Sequence, residues 1–140
     1  MKLNLIDKSF LLKKTPLFTA LDLDILLTIA DKLELLSFDK GEKVFRYGQD
    51  AKRMYLIVEG EIEILDEEES KLSVLGSGFF FGDEAIFAEK ARGYTARVVE
   101  DTTLLALSRS HLYTIIGECP SVAIAFLEAY ASTTPFRFRS

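Results

Sequence analysis

The spacing of apolar residues changes period at Phe38 in this 140-residue chain. Over residues 3–14, Leu3, Ile6 and Phe10 recur at helical spacing among lysines, and Pro16 ends the run. Thr19 and Asp22 stand at capping-box spacing. Leu23, Leu26, Leu27, Ala30 and Leu33 then share one face, which predicts a helix from Leu21 to Leu35. From Phe38 onward the period falls to two. Phe38–Glu42 reads as a turn, Val44-Phe45 as a short strand and Tyr47–Asp50 as another turn. Met54–Val58 and Glu61–Ile64 read as strands joined by a tight connection at Glu59-Gly60. Asp66–Ser70 is an acidic hairpin loop, and Leu72–Leu75 is a further strand. Tyr94–Val99 and Leu104–Leu107 are two more, turning at Asp101-Thr102. Helix signals return at the end. Ser110 can cap a helix through Ile116, stopped by Gly117 and Pro120. Ser121–Ala131 is a second helix, apolar on nearly every side, so it must be covered on more than one face.

Short strands at near-regular spacing, bracketed by helices, predict a mainly β fold, a barrel or sandwich. The chain divides into a helical segment over residues 1–14, a main domain over 15–131 and a tail over 132–140. The tail is expected to fray, although its aromatic–basic alternation could dock. Composition adds limits. Hydrophobic residues are 49% and charged residues 28%, as in a soluble globular domain. The net charge of −5 argues against direct DNA binding, which needs a concentrated basic face. A single Cys119 excludes an internal disulfide and a cysteine-based metal cluster. No apolar run approaches a membrane span, and Asp7 and Lys8 interrupt any signal-like segment, so the cytoplasm is the default compartment.

One stretch carries chemistry: Gly78–Val98, GFFFGDEAIFAEKARGYTARV. It holds a glycine turn, an acidic segment and a lone arginine among small residues. Arginine supplies a donor fork for a phosphate. A helix start supplies free N–H groups and a favourable dipole. Glycine permits close approach, and a carboxylate can accept from a sugar hydroxyl. Gly82, Asp83 and Arg92 are groups of the right kinds for a small anionic ligand. The plain alternative for Arg92 is a surface arginine paired with Glu89 or Asp83. His111, Cys119 and the acidic pairs form no catalytic or metal-ligating constellation. Phe79, Phe80 and Phe81 read as core, while Tyr94 could serve the core or the ligand.

The order of these motifs resembles the cyclic nucleotide-binding domain of catabolite activator protein and the protein kinase A regulatory subunit. The resemblance covers Leu11 to Ala131. It rests on Thr15-Pro16-Leu17-Phe18, on Lys40-Gly41-Glu42 through Gly48, on Tyr55–Ile62, and on Phe81-Gly82-Asp83-Glu84-Ala85-Ile86 with an ungapped approach to Arg92-Gly93-Tyr94-Thr95. It implies a β-roll, a double-stranded jelly-roll barrel, with N-terminal helices and C-terminal lid helices. It also implies that Arg92 binds the cyclic phosphate, Gly82 lets the backbone approach the sugar-phosphate, and Asp83 takes the ribose 2′-hydroxyl. Backbone N–H groups near Glu84 and Ala85 would face the phosphate, with Gly93 and Thr95 completing the site.

Two positions depart from the family pattern. Asp83 is one methylene shorter than the usual glutamate, and Glu84 replaces a usual leucine. A Glu84 carboxylate about 6 Å from the phosphate would repel it by about 3 kcal/mol at an effective dielectric near 20. Turned to solvent it would cost little, and it could instead take the ribose contact itself. Gly93 lacks a hydroxyl associated with cGMP preference, so cAMP is favoured over cGMP, with no metal. The expectation is a non-enzymatic sensor that closes residues 110–131 over the barrel as a lid. That segment is also expected to contact a second subunit or an effector protein. The competing expectation is a degenerate fold that no longer binds nucleotide and serves as a protein-interaction scaffold.

Overall fold

A computed structural model describes residues 2–132. Of the expected tail, residues 132–140, Ser132 ends the last helix and 133–140 lie outside the described residues. The described chain gathers into two compact units. One holds α1 (Leu5–Lys13), α2 (Leu23–Asp31), α4 (Arg109–Glu118) from Ser110 onward and α5 (Ser121–Ser132). The other spans residues 33–109 and holds all six strands and one short helix. The strands are β1 (Glu34–Phe38), β2 (Lys43–Phe45), β3 (Arg53–Leu65), β4 (Lys71–Leu75), β5 (Phe80–Phe81) and β6 (Thr95–Ser108), with α3 at Glu84–Phe87.

Every strand pairing is antiparallel. The 13-residue β3 and 14-residue β6 run against each other for almost their whole length. Each then changes its second neighbour partway. On its other side β6 pairs with β2 at Ala96-Arg97 and with β1 at Thr102–Ala106. On its other side β3 pairs with β5 at Tyr55-Leu56 and with β4 at Ile62–Leu65. This exchange of partners rolls the sheet around its own core. The result is the expected mainly β class, a β-roll with helices before and after it in the chain.

The middle of each long strand departs from the sequence reading. Glu59-Gly60 does not turn the chain back, and neither does Asp101-Thr102. Both are irregularities inside continuous strands, where the β3–β6 register shifts between Ile57 and Ile62. The reason is visible in the core. Tyr55 and Ile57 lie in the same buried cluster as Ile62 and Ile64, together with Ala96, Val98, Leu104 and Ala106. Strict alternation would turn the second pair outward, so a register irregularity must reset the face. Between the pairs Ile57–Leu104 and Ile62–Val98, β3 advances by an odd number of residues and β6 by an even one, and Gly60 lies in this shift at φ +107. A Cβ there would lie 2.2 Å from Thr102 Oγ1 and 2.7 Å from the Thr102 Cα. The Thr102 hydroxyl in turn donates to the Glu100 carbonyl at 2.7 Å and accepts from the Glu61 N–H at 3.1 Å.

Other differences are local. The second helix stops at Asp31, and residues 34–38 form β1 because β6 offers a full ladder to Glu34–Phe38. The expected Thr19–Asp22 capping box is not formed, since Thr19 Oγ1 bonds to the carbonyls of Lys13 and Thr15. A capping box forms instead at Asn4 and Asp7 of α1. Of the three phenylalanines expected in the core, Phe81 is buried, Phe80 half-buried and Phe79 58% exposed. In the helical unit Phe18 meets Phe126 edge-on at 5.3 Å. Ile124 and Leu127 of α5 are exposed, so that helix has one buried and one open side.

The Gly60–Thr102 contact leads to a first prediction. Gly60→Ala combines left-handed backbone strain with a clash against a neighbouring main chain. It should cost about 3 kcal/mol in denaturant unfolding. A loss below about 1 kcal/mol would contradict the parity-reset account.

Candidate functional site

The stretch singled out in the sequence folds into β5, α3 and the start of β6, all inside the strand unit. Arg92 enters it from a loop whose backbone is fixed on both sides. Its N–H donates to the Gln49 carbonyl at 2.8 Å, and its own carbonyl accepts from the Gly48 N–H at 2.8 Å. The guanidinium is then directed inward. Arg92 is only 3% exposed, which excludes the plain reading of a surface arginine.

Nη1 of Arg92 donates to the Gly82 carbonyl at 2.6 Å, and Nη2 donates to the Arg53 carbonyl. The guanidinium carbon stands 4.0 Å above the ring centre of Phe45. Among the described residues no carboxylate forms an ion pair with it. Nε is buried without a hydrogen-bond partner. Burial is the largest cause that lowers its pKa, and the like charge of Arg109 adds to this, while Tyr55, Tyr94 and Glu84 oppose it. The group is therefore a buried cation held by dipoles and an aromatic face, with a donor to spare.

Gly82 makes this placement available. It adopts φ +79, and a Cβ there would lie 2.8 Å from Arg92 Nη1 and 3.2 Å from Phe45. A side chain would displace the guanidinium. Asp83 follows, 5% exposed, with its carbonyl accepting from Ile86 and Phe87 at the start of α3. Its side chain does not cap that helix. Ala85 is buried beneath, and its carbonyl accepts from Arg109 Nη2 at 3.3 Å. Gly93 is exposed beside Arg92. Thr95 is buried and bonded locally, its hydroxyl accepting the Tyr47 N–H at 2.9 Å. The chain thus places Gly82, Asp83, Glu84 and Ala85 in one turn and brings the Arg92 guanidinium against its Gly82 carbonyl. Gly93 and Thr95 flank it, and Thr95 anchors a neighbouring loop.

Glu84 has a definite direction. Its Oε1 accepts the Tyr94 O–H at 2.6 Å, and the Tyr94 oxygen itself accepts the Gly82 N–H at 2.8 Å. The carboxylate thus lies on a hydrogen-bond path into the Gly82 turn. Glu84 is exposed as a residue, yet the protein crowds its carboxylate, and this desolvation is the largest cause that raises its pKa. The Tyr94 hydrogen bond partly offsets it, and the charge of Asp83 adds to it. Burial, followed by the charge of Glu84, pushes the Tyr94 phenol well up. Sequence reasoning left Tyr94 open and did not find Phe45, Arg53 or Arg109. Arg53 contributes only a carbonyl, which no side-chain pattern announces. Among the described residues no cluster of His, Cys, Asp and Glu could hold a metal ion.

The raised Glu84 pKa gives a second prediction. The folded chain holds that proton more tightly than the unfolded chain does. The contribution is therefore present below the ordinary glutamate value of about 4.3 and is lost as pH rises through the folded value. Glu84→Gln should remove that loss. Unfolding curves across this range should show the variant gaining on the parent protein as pH rises. Parallel pH profiles would contradict the crowding of this carboxylate.

The chain matches the family model of the cyclic nucleotide-binding domain over residues 35–119, a span that includes the whole Gly82–Thr95 turn. It is 37% identical over 112 residues to a protein of Rhodopseudomonas palustris named as a potassium channel, covering 79% of this chain and 27% of that one. It is 31% identical to the cyclic AMP receptor protein of Thermus thermophilus, covering 80% of this chain and 54% of that one. It is 29% identical to the type II regulatory subunit of cAMP-dependent protein kinase of Drosophila melanogaster, covering 87% and 33%. The chain therefore spans about a quarter to just over half of these relatives. Among solved structures, the N-terminal domain of a transcriptional regulator from Streptomyces coelicolor superimposes with a TM-score of 0.78 at 27% identity, covering 87% of this chain and 90% of that one. With more than half of its length matched and its β-roll shared, this chain belongs to the cyclic nucleotide-binding domain family.

Proposed function

We propose that this chain is a regulatory module that binds a cyclic nucleotide, cAMP in preference to cGMP, at the Gly82–Arg92 turn. The observation that carries this reading is the buried Arg92 guanidinium with an unpartnered Nε and no carboxylate ion-paired to it among the described residues. A monoanionic phosphodiester supplies the missing charge and acceptor. Gly82 gives the ligand close access to the backbone, and Asp83 offers a carboxylate to a ribose hydroxyl. Two relatives named for cyclic AMP support the choice of nucleotide. The scaffold alternative, which Asp83 and Glu84 would favour, is the weaker reading, because Arg92 and Gly82 are both in place.

In this reading the protein is a sensor and no bond of the ligand is broken. Occupancy biases helices α4 and α5, whose open side carries Ile124 and Leu127, toward a second subunit or an effector. Direct DNA contact is not expected from a chain of net charge −5. Among the described residues no single helix is long and apolar enough to cross a membrane. We place the module in the cytoplasm.

Thermal unfolding with and without ligand tests the binding. At about 100 times its Kd, cAMP should stabilise the protein by about 2.7 kcal/mol, a shift of several degrees. Arg92→Ala and Arg92→Lys should each abolish the shift, because neither restores the fork. No shift with either cyclic nucleotide at millimolar concentration would overturn the reading. A shift that survives in both variants would move the site elsewhere. For transmission, saturating cAMP should change amide exchange across residues 110–131, and an unchanged pattern there would count against it.

A further inference from the structure

We propose that Glu84, held in place by Tyr94, is the charge filter of this site, admitting a singly charged phosphodiester and rejecting a doubly charged phosphate monoester. The inference rests on the nucleotide-binding reading above and concerns which ligands that site refuses.

The geometry supplies the filter. The Tyr94 hydroxyl is fixed from one side by the Gly82 N–H at 2.8 Å and holds Glu84 Oε1 from the other at 2.6 Å. The ring is held as well, tilted against Phe45 at 5.4 Å, the same ring that lies under the Arg92 guanidinium. The carboxylate is therefore tied to the turn whose carbonyl holds Arg92, and its charge reaches that guanidinium. The groups facing Glu84 are Asp83 on its own turn and Tyr94 from the approach to β6. Arg92 and Arg109 stand on the cationic side, each with a buried, unpartnered Nε. Two cations and two carboxylates leave little net charge to hold a ligand. A monoanion meets Arg92 with one unit of repulsion from Glu84. A dianion meets the same carboxylate with two.

Repulsion scales with ligand charge. Neutralising Glu84 should therefore strengthen a dianion by about the square of the factor gained by a monoanion. A steric preference for the cyclic diester would be the same in both proteins and would cancel in the comparison.

The test is competition of cAMP and 5′-AMP for the intact chain, read with a fluorescent cAMP analogue. It is run near pH 8, above the second phosphate pKa of about 6. Glu84→Gln should bind cAMP about tenfold tighter and 5′-AMP about a hundredfold tighter, so that the preference for cAMP falls about tenfold. Tyr94→Phe should lower the same preference by at least about threefold by releasing the carboxylate, with Arg92 untouched. Thermal unfolding of each variant without ligand confirms that it folds. An equal gain for both ligands in Glu84→Gln, or no gain, overturns the filter. An unchanged preference in Tyr94→Phe overturns the tethering. Absence of any cAMP binding by the parent protein would overturn the nucleotide-binding reading itself, which is a different result from binding with an unaltered preference.

Discussion

A guanidinium taken out of water must be given acceptors, and the strand unit is arranged around giving them to Arg92. Two carbonyls, those of Gly82 and Arg53, take its outer nitrogens, and the Phe45 ring takes its face. Each requirement reaches far along the chain. Gly82 must lack a Cβ. The start of β3 must bring the Arg53 carbonyl within reach. The loop at Gly48-Gln49 must grip the Arg92 backbone. These segments are separated in sequence and are brought together by the roll of β3 and β6. A dipole-held cation is less well compensated than an ion pair, since burial disfavours it and, among the described residues, no carboxylate forms an ion pair with it. That imbalance makes the position useful to an anionic ligand.

The roll itself depends on where the two long strands change partners. The Gly60 irregularity resets the inward face between Ile57 and Ile62, so one chain can serve β5 on one half and β4 on the other. Without it, Tyr55 and Ile57 could share a core with neither Ile62 nor Ile64. The aromatic group of Phe45, Tyr55, Phe81 and Tyr94 packs at this end of the unit, with Tyr55 and Phe81 stacked at 5.3 Å. The support beneath Arg92 is thus part of the hydrophobic core, and rigidity of the site follows from packing there.

Much of this was legible in the sequence, and the exceptions share a cause. Alternation in Glu61–Ile64, the helical spacing of α1 and α2, and the cap and stop signals around α4 and α5 revealed those elements because each pattern is local. β1 lies where the expected helix ends at Leu35 and the expected turn begins at Phe38, because Leu33 and Leu35 suit either a helix or a buried strand and only the β6 ladder decides. Glu59-Gly60 and Asp101-Thr102 carry turn chemistry, yet each serves a bulge, which depends on the opposite strand. In the turn itself, the spacing of Gly82, Asp83 and Arg92 marked the place. The direction of Glu84 could not be read, because it is set by a tyrosine ten positions away. Arg53 was invisible, since it contributes a backbone carbonyl.

The central claim is that Arg92 is a buried cation kept ready for an anion, with its Nε waiting for an acceptor. The side-chain N–H resonance of Arg92 Nε, assigned by its loss in Arg92→Lys, reports on that atom directly. Titration with cAMP should move this resonance saturably, while adenosine, which lacks the phosphate, should leave it in place. An Arg92 Nε resonance that stays fixed while cAMP shifts resonances elsewhere in the protein would contradict the account.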